Sequence, residues 1–347
     1  MKTRSKEEEA ERKDHLMQTI HEKLQQYLAI HDMLKRGFPW EYALARQFGA
    51  LMLTGEGQAP SAEGIKAMRD VIRRETSVFS NFRGLNELIL SMLLYREPNG
   101  VERFHCMKDV YAQLKSNGFW GGTYLPMAAL TIAKGMELQP MSTLIARMRD
   151  FYEGMKARHA FLTSQDDYVY AAMLAASSVP AASGLEEMET FYRELHEAGI
   201  PKGNGLQSLT HVLVLGEESH FSKLDKVDRL NRHLISCGYR LRDYHTAFLG
   251  VMALLTDQPE ALADQALELE RHLMTFRGFG NFSIDKKTRF VLAAYLLISQ
   301  KMETFTQDIS RTALANSIQS ILIAQQMAMT AAIVAATTSA GASSGGA

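Results

Sequence analysis

Two adjacent carboxylates, Asp166 and Asp167, stand in "SQDDYVY" (164–170) at the head of an otherwise apolar stretch. A carboxylate pair that points into a cavity can hold a cation or move a proton. The same pair in the first turn of a helix favours the positive end of the helix dipole, and Ser164 is placed to cap it. Asp243 in "LRDYHTAF" and Asp285 in "SIDKKTRF" occupy the equivalent place further along the chain. Recurrence of that kind is what a capping role predicts and a single catalytic site does not. Tyr124, Tyr168 and Tyr244 recur at the same junction. Tyrosine there packs its ring and leaves its hydroxyl in water, with the lining of a ligand groove as the alternative. His211 and His245 lie in or beside apolar stretches. Each reads first as a boundary histidine bonded to backbone, and as a partner of Asp167 at a cavity mouth if the chain closes on itself. Trp120, in "FWGGTY" (119–124), and Trp40 follow a recurring aromatic position. Their expected role is packing between units, and an exposed tryptophan at a turn is the kind of residue that anchors a partner.

No stronger chemical signal is present. "HEAGI" and "HEKLQ" begin like a zinc-binding helix but lack the second histidine, and there is no phosphate-binding glycine loop, no nucleophile elbow and no calcium loop. The two cysteines, Cys106 and Cys237, sit in no CxxC and by no histidine cluster, so two free buried thiols are expected, with a disulfide between them left open. No metal and no cofactor is expected. The net charge of -1 gives no global attraction to nucleic acid or anionic lipid.

The elements that carry these residues repeat. "MRDVI" begins at Met68, "MKDVY" at Met107, "MRDFY" at Met148 and "METFY" at Met188, with Tyr27, Val227 and Leu267 continuing the series. Eleven to thirteen residues after each comes a bulky residue: Phe38, Phe79, Phe119, Phe161, Ile200, Tyr239 and Phe279. Glycine precedes five of them, at Gly37, Gly118, Gly199, Gly238 and Gly278. Pro60, Pro98, Pro140 and Pro180 keep the same step of about 40 residues, and Pro259 lies two such steps further on. Fixed periods of this size mean tandem supersecondary units. Each unit reads as a charged amphipathic helix, a glycine C-cap, a short turn and a second, far more apolar helix such as "YLPMAALTIA" (124–133) or "AFLGVMALL" (247–255). Pro126 falls in a first helical turn.

The expected fold is therefore all-α. Residues 1–302 form an array of about seven helical hairpins, with units near 15–60, 61–100, 101–140, 141–183, 184–220, 221–260 and 261–302. A long C-terminal helix (303–336) and a disordered tail (337–347) follow. The second helices carry almost no charge, and a helix apolar all round is buried all round. A curved α-solenoid is the leading geometry. Closure toward an α/α ring, or a terminal helix laid in the groove, would also bury them.

The charged N-terminus "MKTRSKEEEAERK" argues against a secretory signal and for a cytoplasmic protein. No apolar run is long enough to span a membrane; the nearest, residues 321–336, is broken by Gln325 and Gln326. The "GFW…YLPMAAL" unit, the "MRDFY" helices and the "LANSIQSILIAQQMAM…AA" ending resemble an uncharacterised family of bacterial, chiefly Bacillus-type, proteins: a domain of unknown function. The resemblance implies a cytoplasmic bacterial protein and no chemistry. The period is also similar to HEAT-like and tetratricopeptide arrays, without the tetratricopeptide signature. The leading functional expectation is a non-enzymatic scaffold for a protein or peptide. The alternative is a small-molecule binder or enzyme on a closed ring, using Asp166, Asp167, His211 and His245. A peripheral membrane role for residues 321–336 stands third.

Overall fold

The computed structural model describes residues 2–55 and 59–305. The expected C-terminal helix beyond Phe305 and the tail at 337–347 lie outside them. The described residues form fourteen α-helices and no strand. They are α1 (Lys2–Gly37), α2 (Ala43–Leu53), α3 (Ala62–Glu75), α4 (Leu85–Tyr95), α5 (Gly100–Ser116), α6 (Leu125–Gly135), α7 (Met141–Arg158), α8 (Tyr168–Ala176), α9 (Ala181–Glu197), α10 (Asn204–Leu213), α11 (His220–Ser236), α12 (Ala247–Leu255), α13 (Pro259–Leu273) and α14 (Lys286–Phe305). None of the described helices is long and apolar enough to cross a membrane.

Local chemistry sets the boundaries. Gly118, Gly199, Gly238 and Gly278 follow odd-numbered helices in the left-handed region, where a Cβ would be strained. The amide of the bulky residue after three of them returns to the helix: Phe119 to Leu114, Ile200 to Leu195, Tyr239 to Leu234. Pro140 and Pro180 are N-caps of α7 and α9, and Pro259 opens α13, so these prolines start the odd helices as much as they end the even ones.

The helices pack as pairs. Each odd helix lies against the even helix that follows it, and each pair lies against the next. Three of the even helices have no polar face. Every residue of α12 is buried, as is α6 from Leu125 to Ala133 and α8 from Tyr168 to Ala175. The odd helices bury one stripe, which includes Tyr27, Met68, Met107, Met148, Met188, Val227 and Leu267. They turn their charged side to solvent, where ion pairs join consecutive odd helices at separations of 30 or 31 residues: Glu75–His105, His159–Glu189, Arg229–Glu260 and His233–Asp264. Guanidinium groups from odd helices reach the open carbonyls at the ends of even ones. Arg103 donates to Ala133, and Arg147 to Ala175, Ser177 and Val179.

The contacts do not stop at the seventh pair. Helix α14 packs on both α1 and α2. Gln47 of α2 donates to the Gly278 carbonyl at 3.0 Å. The Phe279 ring lies 5.7 Å from Tyr27 and 5.0 Å from His31, so the last pair shares its aromatic packing with the first.

The bulky residues after the odd helices divide. Phe38, Phe119, Ile200, Tyr239 and Phe279 are buried, but Phe79 and Phe161 stand in solvent. In the second pair Phe82 fills the inner place and packs on Phe104 and Tyr111.

One buried ion pair fastens the seventh pair. Arg289 of α14 and Glu270 of α13 are both almost fully buried and meet at 2.6 Å. The guanidinium also donates to the carbonyls of Phe279 and Ile284, and Tyr239 donates to Glu270 at 2.9 Å. Removing one partner of such a pair strands a buried charge at a cost of about 3–5 kcal/mol. Arg289→Ala should lower the unfolding free energy by that amount, while the joint replacement Arg289→Met with Glu270→Leu should recover most of it. A single variant as stable as the parent in urea titration would remove this network from the forces holding α13 to α14.

Candidate functional site

Ser164, Asp166 and Asp167 form a local turn before α8. The Ser164 amide donates to the Asp167 carboxylate at 3.0 Å, and the Ser164 hydroxyl donates to Asp166. This reciprocal arrangement at a short 3₁₀ turn is a capping box. Asp243 does not repeat it. It adopts φ 53°, and its carbonyl crowds the place a Cβ on Gly205 would take. Asp285 caps in a different way, its own carboxylate accepting from the amides of Lys287 and Thr288 at the start of α14.

Asp167 is more than a cap, because its other oxygen points inward. It is buried, and burial with the neighbouring Asp166 charge pushes its pKa well above the usual carboxylate range. Its Oδ1 lies 3.8 Å from Nδ1 of His211 on α10. Burial, with a smaller contribution from His159, lowers the His211 pKa to about 3. Burial thus favours the uncharged form of each, and the imidazole nitrogen that faces the carboxyl has no hydrogen-bond partner among the described residues. One turn earlier on α10, Gln207 donates to Thr163 at 2.9 Å and leaves its own oxygen unpartnered. The His211 ring packs 5.3 Å from Tyr170. Tyr124 is half-buried nearby, its pKa raised to about 12 by burial and then by Asp166 and Asp167. The cluster offers two unsatisfied acceptors, on His211 and Gln207, that a donor group or an internal water would fit.

The other expected residues lie elsewhere. His245 is buried beside Tyr244, with ring centres 4.4 Å apart, and its Nε2 meets the Thr288 hydroxyl at 3.0 Å. That hydroxyl donates to Asp285, so the imidazole is the donor to it. Burial lowers the His245 pKa to about 4. His211 and His245 thus do not converge: His211 faces Asp167 without a hydrogen bond, whereas His245 bonds Thr288 and the Arg242 backbone. Tyr168 corrects a second expectation. Its ring is buried against Phe119 and Tyr152, and its hydroxyl accepts the Trp120 amide at 3.2 Å instead of facing water. Tyr244 is half-buried, and burial followed by Asp285 and Asp243 raises its pKa.

The tryptophans correct a third. Trp40 and Trp120 do not pack between units; their side chains are 97% and 76% exposed. Phe79, Phe161 and Phe282 are exposed to 95%, 104% and 109%, so their rings touch almost nothing. All five lie in turns that lead from an odd helix to its even partner. The turns after α9 and α11 carry exposed Lys202, Arg240 and Arg242 instead. The cysteines are unpaired as expected but are not buried. Both are free, Cys106 is half-buried, and Cys237 is exposed beside His233.

Three buried histidines with lowered pKa values give stability a sign with pH. His31 falls to about 4 by burial and the Arg46 charge, His245 to about 4 and His211 to about 3. Between roughly pH 6.5 and 4 the unfolded chain binds protons at these sites and the folded one does not, so stability must fall on acidification through that window, by up to about 1.4 kcal/mol per pH unit for each histidine. Asp167 has the opposite sign: the folded chain keeps a proton that the unfolded one releases above about pH 3.9, so its contribution falls as pH rises. Asp167→Asn keeps the Ser164 contact and can donate to His211. Its urea midpoint relative to the parent should climb from pH 5 to pH 8. A difference that stays flat over that range would mean Asp167 is ionised in the fold.

The chain is similar to a 24% identical protein of Bacillus subtilis (strain 168), "Uncharacterized protein YeaA", over 335 residues, which cover 93% of this chain and 97% of that protein. No solved structure matches it. A family model described as "Protein of unknown function (DUF4003)" matches residues 30–327. The chain, all-helical with its carboxyl–imidazole pair enclosed between α8 and α10, belongs to the DUF4003 family.

Proposed function

We propose that this protein is a ring of seven two-helix units that acts in the cytoplasm as a non-enzymatic binding scaffold, and that it grips a protein or peptide partner through the aromatic turns of one rim. The ring reading is supported by the packing of α14 on α1 and α2 and by the recurrent ion-pair separation of 30 or 31 residues. The single observation that carries the binding reading is the placement of Phe282, Trp40, Phe79, Trp120 and Phe161. They sit in the turns of pairs seven, one, two, three and four, which are successive neighbours in the contact order. Side-by-side pairs of like direction put those turns at one end of the ring. Single exposed apolar residues are ordinary. Five nearly naked aromatic rings in register along one arc form a surface of the composition that interface centres favour, flanked by basic turns. Aromatic anchors of this kind contribute up to about 2 kcal/mol or more each on binding.

A second reading, a small-molecule binder, draws on the unpartnered His211 and Gln207 atoms beside Asp167. It is weaker because those groups are buried and already serve to cap and space α8 and α10.

The test uses the full chain with all five rim aromatics changed to serine, beside a control, Leu138→Ser, in the exposed turn between α6 and α7. Exposed positions of this kind change stability by about 0.5 kcal/mol or less each. Proteins cross-linked to the parent in the host cytosol should be lost from the five-site variant by tenfold or more and kept by the control. Equal recovery by all three would overturn the rim reading. A small molecule retained by the native protein and lost on Asp167→Asn would favour the second.

A further inference from the structure

His233 and Cys237 lie one helical turn apart at the end of α11, and Asp264 faces them from α13. The His233 Nε2 is 2.7 Å from Asp264 Oδ1 and 4.0 Å from the Cys237 sulfur, and the three donor atoms all lie within 4.8 Å of one another. Three other histidine–carboxylate pairs join odd helices: His105 with Glu75, His159 with Glu189, and His220 with Glu194. Those pairs are ordinary surface contacts. The pair on α11 and α13 differs by the thiol, which turns a two-group contact into a nitrogen, sulfur and oxygen donor set. It is the one such group among the described residues.

We propose that His233, Cys237 and Asp264 form a binding site for a borderline-soft divalent transition metal of the zinc class. The donor types exclude magnesium and calcium, which take oxygen ligands, and they match the nitrogen, sulfur and carboxylate ligands of zinc. Bonds of about 2.0–2.3 Å in a tetrahedron put neighbouring donor atoms roughly 3.3–3.7 Å apart. The nitrogen–oxygen distance opens by about 0.6 Å and the sulfur–nitrogen distance closes by about 0.4 Å to reach that geometry. The carboxylate and thiol are both exposed, so side-chain rotation suffices. The fourth position faces solvent and would hold water or a donor from a partner.

Charge and protons balance. The thiol gives up its proton to solvent and becomes a thiolate, and the neutral imidazole carries its proton on Nδ1 and ligates through Nε2. With the Asp264 carboxylate, the two negative charges neutralise the dication. Affinity therefore rises with pH as the thiolate forms. The metal would tie the sixth helix pair to the seventh across their solvent side, independently of any use of the aromatic rim.

Cobalt(II) is the probe, because thiolate ligation gives a charge-transfer absorption in the near ultraviolet. The full chain should bind one cobalt per molecule with that band, and zinc should displace it. Cys237→Ser should abolish the band, and His233→Asn and Asp264→Asn should each weaken binding tenfold or more. Cys106→Ser should leave it unchanged. Zinc should also slow alkylation of Cys237 by iodoacetamide without changing that of Cys106. Cys237 is exposed, so its replacement leaves the fold intact. Absence of the band in the parent, or a band that survives Cys237→Ser or needs Cys106, would overturn the assignment.

Discussion

The constraint on which this structure rests is that three of its helices have no side that water tolerates. Helices α6, α8 and α12 are buried almost from end to end, and a helix apolar all round is stable only when covered all round. Each odd helix covers one flank of its even partner, and the neighbouring pairs cover others. The two end pairs would each leave a flank bare, and the packing of α14 on α1 and α2 removes that exposure. Charge is consequently concentrated on the odd helices, where ion pairs join neighbours. The buried Arg289–Glu270 pair is the exception, and four further hydrogen-bonding partners surround it.

This division of labour explains what a reading of residues alone can reach. The series from Tyr27 to Leu267 is visible because each member meets the same inner environment, and all seven are buried. The glycine caps are visible because only one residue type takes φ near +90° without strain. The aromatic series is visible too, but its direction is not. Spacing places Phe79 and Phe161 in turns, and whether a turn residue folds inward depends on competitors such as Phe82 three positions away. The same limit applies to Trp40 and Trp120, which resemble packing residues by position and are bare in the fold.

The candidate site shows a sharper limit. The capping role of Ser164 and Asp167 is local and could be read from four residues. The facing of Asp167 to His211 spans 44 residues and two helices, and nothing in the separation announces it. His233 and Cys237 at i and i+4 were a legible half of a donor set, since that spacing puts both side chains on one face of a helix. The other half, Asp264, comes from beyond an intervening buried helix. Polar groups brought together between units are the part of a helical array that periodicity does not encode.

The contact between the first and last helix pairs also shapes how the chain reaches its structure. A row of units with free ends can add or lose a member at either end at the price of one interface. Here the Gln47–Gly278 contact joins positions 231 residues apart. Closing a loop of that length costs about 5 kcal/mol in chain entropy if nothing is yet ordered, and far less once the intervening pairs have stacked. In the proposed ring the two ends meet last, after the intervening pairs have stacked. No pair of that ring is terminal, and the loss of any one must break two interfaces at once. In that ring fraying gives way to a single cooperative opening.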